Sequence, residues 1–286
     1  MKKPKCAAED YTESDFPSTR KEVFFECYRE HFMLLLKTGL LCLIFLIPLI
    51  AVLFVKDIYM YSSLAALAEQ TEENQKAIIY TANVMYGPFQ VIAQTLFAVF
   101  FAGVVQLLRQ TLWNEPVFFG DDFKRGLKSN SLRFTITVFL LSINNYALDI
   151  MPESVVIYIL KGVFVAIVLP VAIWFLLYGI YYKLGVFASL KNAVLLYIKT
   201  VPATVLLLVL TVVPFWLVTN LITLLIAKYA VIIVLALFYV IPLTMCWMLY
   251  AGSIFDKYIN KEHYPEVYRK GMRKEEDETQ EMRNLY

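Results

Sequence analysis

Residues Trp113–Arg133, WNEPVFFGDDFKRGLKSNSLR, decide how this chain is built. The stretch lies between two long apolar runs and carries Lys124, Arg125, Lys128 and Arg133. On a helical period Phe119, Phe123, Leu127 and Asn130 share one face, while Asp122, Arg125 and Lys128 turn away from it. Pro116 and Gly120 end the preceding helix, and Asp121 or Asp122 is placed to cap the next one. An amphipathic helix with basic flanks and aromatic teeth, held between two spans, is expected to lie in the membrane interface.

The runs on either side set the class. Of 286 residues, 59% are hydrophobic and 17% charged, against about 25% charged in a soluble domain. The shortfall is concentrated in runs of roughly 20 residues, the length a bilayer core needs. Six such runs lie at about 34–55, 88–108, 132–150, 155–178, 202–226 and 229–250. The expected fold is therefore all-α, an integral membrane bundle of six transmembrane helices. Amphipathic elbows join spans two and three, and spans four and five; the second elbow, within 179–200, reads YYKLGVFASLKNAVLLYIKT. Residues 1–32 form an N-terminal segment, 33–252 the transmembrane domain and 253–286 a polar tail ending in KEEDETQEMR. The longest connection, 56–86, reads in part as an amphipathic helix with Leu64, Leu67 and Ala68 apolar and a solvated EQTEEN centre.

Lys and Arg collect on the cytoplasmic side of membrane proteins. Here 21 of the 26 fall in the N-terminal segment, the two elbows and the tail, and only Lys56, Lys76 and Lys228 in the opposite connections. Both ends are expected to be cytoplasmic. The N-terminal segment, with Glu9, Asp10, Glu13 and Asp15, does not read as a signal peptide. Its later part, Lys21–His31, reads as a short interfacial helix carrying Phe24, Phe25 and Tyr28.

Chemistry is sparse. His31 and His263 have no acidic or cysteine constellation, and no HExxH, GxSxG or phosphate-cradling glycine loop occurs. Cys6, Cys27, Cys42 and Cys246 stand apart and form no CxxC, so neither zinc nor a disulfide framework is indicated. A net charge of +2 without a basic, aromatic-interleaved patch excludes nucleic acid as a partner. The chain is expected to be non-enzymatic, with no catalytic residues, cofactor or metal, and with the lipid bilayer as its first partner.

Two groups of candidate site residues remain. Asn144, Asn145 and Asn220 are polar within spans. They line a solute path if they converge on a midplane cavity, and otherwise serve as interhelical hydrogen-bonding groups, Asn144 or Asn145 reaching Asn220, Thr219 or Thr223. Asp149 and Lys161 are placed to pair at the outer surface, unless Lys161 snorkels alone. Prolines 48, 170, 202, 214 and 242 either break helices at a transport site or reflect the tolerance of spanning helices for proline. The second group is Trp113, Glu115, Phe119, Phe123, Arg125 and Asn130, which serve as a membrane anchor, a partner-docking face or elbow geometry alone. LKSN at 127–130 and LKN at 190–192 precede odd-numbered spans, an echo that either marks duplication or arises by chance.

Three segments resemble the YesL-like family of bacterial integral membrane proteins: DDFKRGLKSN at 121–130, SLKNAVLLYIKTVPATVLLLVL at 189–210 and FDKYINKEHYPEVYRKGM at 255–272. The 56–86 connection departs from the compact form of that family. The resemblance implies a bacterial plasma-membrane protein of unknown function, accessory to a transporter or sensor, with ABC-transporter or sensor subunits of carbohydrate uptake as partners. The alternative is a small-solute transporter or channel with a polar site between helices.

Overall fold

A computed structural model of the chain describes residues 16–67, 71–182 and 184–273. Cys6, the acidic residues before Phe16, Ala68 and the KEEDETQEMR run lie outside the described residues. All described secondary structure is helical: α1 (Arg20–Glu30), α2 (Phe32–Ala65), α3 (Glu72–Leu112), α4 (Phe119–Ile150), α5 (Val155–Val163), α6 (Leu169–Tyr181), α7 (Val186–Leu221), α8 (Leu225–Phe238), α9 (Val240–Phe255) and a last turn, α10 (Lys261–His263). Four helical stretches are long and apolar enough to cross a membrane: α2, α3, α5–α6 together, and α7. The pair α8 and α9, bent by 43°, makes a fifth if counted as one span. Helix α4 lies outside that set, because its first half carries the charges of 121–133 and its last turns carry Asn144, Asn145 and Asp149.

Helix α3 is the centre. More than half of its most apolar stretch is buried (56%), against 17% for α2 and for α7, whose leucines and valines face outward. It packs along α4 and α2, while α6 packs on α7, and α8 on α2. The α3–α4 contact is set by small residues. A Cβ on Gly126 would lie 2.5 Å from Gln106 Cβ and 2.9 Å from Gly103 Cα, so the two backbones touch where glycine meets glycine. Without a hydrophobic force between helices in lipid, such close approach is the main source of association.

Three features differ from the sequence reading. The connection expected over 56–86 is only residues 66–71, because α2 and α3 continue through most of it. At 1.5 Å per residue the 41 residues of α3 span about 60 Å, twice the bilayer core, so both helices project beyond it. Thr71 accepts a hydrogen bond from the Asn74 N–H (3.3 Å), and Glu72 and Glu73 occupy the first turn, which suits the positive pole of the helix start. Second, the segment after Phe118 is not a separate interfacial helix but the first turns of α4, continuous with the apolar stretch behind it. Third, Asp122 does not turn away with Arg125 and Lys128; it is buried, since it caps the start of its own helix. Helix α7 runs through the second expected elbow as one helix, leaving helical geometry only at Thr200 (φ −126°, ψ 16°), two residues before Pro202.

Two of the spanning prolines are compensated from neighbouring helices. A proline leaves the carbonyl four residues earlier without its helical donor. Pro170 frees Ala166, whose carbonyl accepts from the Tyr197 hydroxyl. Pro214 frees Leu210, whose carbonyl accepts from the Tyr239 hydroxyl at 2.6 Å. Both freed carbonyls are thus bonded by a tyrosine of a neighbouring helix.

Candidate functional site

One end of the bundle gathers the described N-terminal residues, the 113–118 turn and the described C-terminal residues. Helix α1 starts with a reciprocal cap: Thr19 Oγ1 accepts from the Glu22 N–H (3.2 Å), and the Glu22 carboxylate accepts from Ser18 and Thr19. The Ser18 N–H, with its hydroxyl, holds the Glu22 carboxyl below the usual carboxylate range. Arg20, the first residue of α1, forms an ion pair with Asp256 after α9. Arg269 donates to the Ser18 carbonyl (3.0 Å), and the Arg273 N–H to the Pro17 carbonyl (3.0 Å), so the C-terminal segment clamps the N-terminal one.

The 113–118 turn is bound into the same assembly. Trp113 closes α3 through its N–H to Arg109, Asn114 takes φ +54°, and the Glu115 N–H returns to the Gln110 carbonyl (2.9 Å). Lys270 lies 4.4 Å from the Trp113 ring centre and 2.5 Å from the Glu115 carboxylate, with Arg109 over the same ring at 4.9 Å. Asp122 then accepts from the Phe118 N–H (2.7 Å), from Gln110 Nε2 (3.1 Å) and from Arg125 (3.2 Å). Beneath this network Phe255 is fully buried, edge-on to Trp174, Tyr178, Tyr181 and Tyr182 at 5.2–5.9 Å. Burial, then the neighbouring Tyr178, raises the Tyr182 hydroxyl above its ordinary range, and that hydroxyl donates to Asn260.

The predicted docking residues therefore divide. Trp113 and Glu115 are held by the chain's own Lys270. Phe123 is half-buried, its ring against Gly103 and in line with Phe45 at 6.2 Å. Phe119 and Asn130 are half-buried, and Arg125 is exposed apart from its bond to Asp122. Phe118, which stands just before that set, is 68% exposed beside Asp121, Lys124 and Arg125.

The asparagines do not converge. Asn145 donates to Asp149 (3.0 Å) at the far end, and Asn220 donates to the Trp216 carbonyl one turn back in its own helix (2.8 Å). Asn144 is exposed, and neither reading of a shared midplane contact with Asn220 or Thr219 is met. The crevice near Asn145, bordered by Lys56, Gln90 and Gln94, has a volume of about 10 Å³, roughly one water. Lys161 does pair with Asp149 (3.1 Å). The far end also holds a pair absent from the sequence reading: Asp57 and Lys228, both buried, 2.6 Å apart, with the Tyr229 hydroxyl on the same carboxylate at 3.0 Å. Sequence offered only a weak hint, since each sits at the edge of a connection on the lysine-poor side.

Among the described residues no group of three His, Cys, Asp or Glu is placed to hold a metal ion. No protein-family model matches the chain, and no curated protein and no solved structure matches it.

Proposed function

We propose that this protein is a non-enzymatic membrane scaffold whose termini-bearing end is a docking platform for another membrane protein. The observation that carries the reading is the lock between distant parts of the chain at that end: Arg20 with Asp256, Lys270 with Glu115 and Trp113, and Arg269 with Ser18. Such ties order polar segments that would otherwise be mobile, and a preorganised surface binds without a further ordering cost. Beside the lock, Phe118 and the basic side chains of Lys124, Arg125 and Lys128 face outward. An aromatic anchor ringed by basic groups fits a partner with an apolar pocket in an acidic surface. The resemblance to the YesL-like family gives the partner its class, a transporter or sensor subunit of a bacterial plasma membrane.

The accompanying topology is six crossings with both ends cytoplasmic. Its supports are the lysine and arginine distribution and the grouping of contacts. Segments read as cytoplasmic meet one another at one end (Arg20–Asp256, Lys270–Glu115), and Lys228, Asp57, Asp149 and Lys161, read as outer, pair at the other. Helix α4, antiparallel to α3, supplies the crossing that its polar residues obscure.

The test is affinity capture of the tagged protein from gently solubilised native membranes. Phe118→Ala with Arg125→Glu is expected to lose a stoichiometric membrane partner while the protein inserts and elutes unchanged. Those sites are preferred over Phe123, whose ring supports the α3–α4 contact. Recovery of the same partner by the double variant, or of none by the parent chain, removes the docking reading and favours the solute-transporter alternative.

A further inference from the structure

A cleft of about 340 Å³ opens at the termini-bearing end, between the first half of α7 and the residues that follow α9. Its floor is Leu184, Leu196 and the Tyr178 hydroxyl; its rims are Lys199 on α7 and Tyr258 and His263 on the C-terminal segment. Among the described residues none that lines it is acidic. Lys199 rests over the Tyr258 ring (4.7 Å) and has no carboxylate within ion-pair reach among the described residues. Tyr178 is 2% exposed; its hydroxyl accepts from Asn192 Nδ2 (3.0 Å) and finds no acceptor for its own proton among the described residues. Tyr178 lines the cleft, so its hydroxyl proton is available to a ligand there. The cavity thus presents a cation, a hydroxyl proton and an imidazole to whatever enters, and it sets no fixed anion against them.

The outer wall says what enters. Leu195 and Ile198, on the same turns of α7 as Lys199, are 48% and 65% exposed, and Leu190 is 44% exposed one turn before. Apolar side chains left uncovered on a spanning helix face acyl chains. The cleft therefore sets its basic rim and an uncovered apolar wall side by side on the same turns of α7, as a site at the membrane interface does. We infer that it is a binding site for the phosphate of an anionic phospholipid, with the phosphodiester between Lys199 and His263, the Tyr178 hydroxyl donating to it, and the acyl chains along Leu195 and Ile198. The site lies away from Phe118 and does not depend on the partner proposed above.

The test uses the full chain, purified in a neutral detergent and titrated separately with phosphatidylglycerol, phosphatidylcholine and glycerol 3-phosphate, with bound adducts resolved by native mass spectrometry. Phosphatidylglycerol is expected to be retained where phosphatidylcholine is lost. Lys199→Gln is expected to weaken it about fivefold, the effect of one basic residue at an anionic surface. Lys199 is exposed, so the variant folds; its lipid-free unfolding temperature checks this, and His263→Gln probes the same phosphate from the opposite wall. Glycerol 3-phosphate binding that weakens in the same variants keeps the phosphate site and assigns it to a soluble ester instead. Equal retention of the two lipids, or adducts indifferent to both substitutions, overturns the inference.

Discussion

The two ends of the bundle are held together in opposite ways. At the far end exposed pairs such as Lys161–Asp149 and Lys76–Glu153 flank a single buried one, Asp57 with Lys228, which joins α2 to α8 with Tyr229 as the only other donor to the carboxylate among the described residues. At the termini-bearing end the ties are many, partly exposed and shared between three segments of the chain, and they sit on a glycine-to-glycine backbone contact. A single buried pair concentrates the energy, so removing one partner strands a charge. A distributed network dilutes it, so each tie is worth little alone. The far end should accordingly be brittle to one substitution and the near end tolerant, except where backbones touch.

The largest effect is therefore expected at the far end. Lys228→Ala leaves Asp57 buried and unpaired and should cost about 3–5 kcal/mol, seen as a fall of the unfolding temperature in detergent. Replacing both residues with leucine should recover most of that loss. If the double variant is as unstable as the single one, the pair is not the tie and the contrast between the ends fails. Next comes the backbone contact. Gly126→Val places its side chain within 3 Å of Gln106 and Gly103. Overpacking of this kind costs about 1–3 kcal/mol and should be visible in the same melt, whereas Gly120→Val, with open space around it, should leave the melt unchanged.

The long apolar helices were legible in the sequence because apolar length is a local property. The 56–86 connection failed because a hydropathy run ends at the membrane surface and a helix need not; Tyr59, Tyr61 and the Glu72–Glu73 start are as helical as the core they leave. Asp122 was legible as a cap, but its face was not, for a related reason. A periodicity argument assigns a face, but Asp122 is drawn inward by the Phe118 N–H that its own helix start leaves unpaired. The lock was out of reach altogether: Lys270 and Glu115 are 155 positions apart, and Lys228 and Asp57 are 171 apart. Nothing in either local sequence names the other.

Smaller effects distinguish the ties of the near end from one another. Arg20–Asp256 is the more enclosed, with side chains 18% and 13% exposed, against 37% and 29% for Lys270–Glu115. Arg20→Ala should cost about 1–2 kcal/mol, as a partly desolvated charge-assisted bond does, and Lys270→Ala no more than about 1 kcal/mol. A thermal melt of the two variants side by side checks the order; a larger loss for Lys270→Ala would place the weight of the lock on the 113–118 turn instead of on α1.

The smallest effect is one of reactivity, and it asks whether the ends act separately. Cys27, on the inner face of α1, is buried, and its thiol lies 3.6 Å from the Thr111 carbonyl. Burial pushes that thiol up to about 12, with Glu26 and Glu30 adding to the rise. Maleimide reacts with the thiolate, so in a chain whose other cysteines are replaced by serine, labelling should be slow at pH 8 and should quicken through pH 10 without a plateau. Arg20→Ala loosens α1 and should speed labelling at pH 8. Lys228→Ala, at the far end, should leave the rate unchanged at temperatures below its melt. If Lys228→Ala also exposes Cys27, then α2 and α3 transmit the far-end break along their length, and the two ends form one cooperative unit.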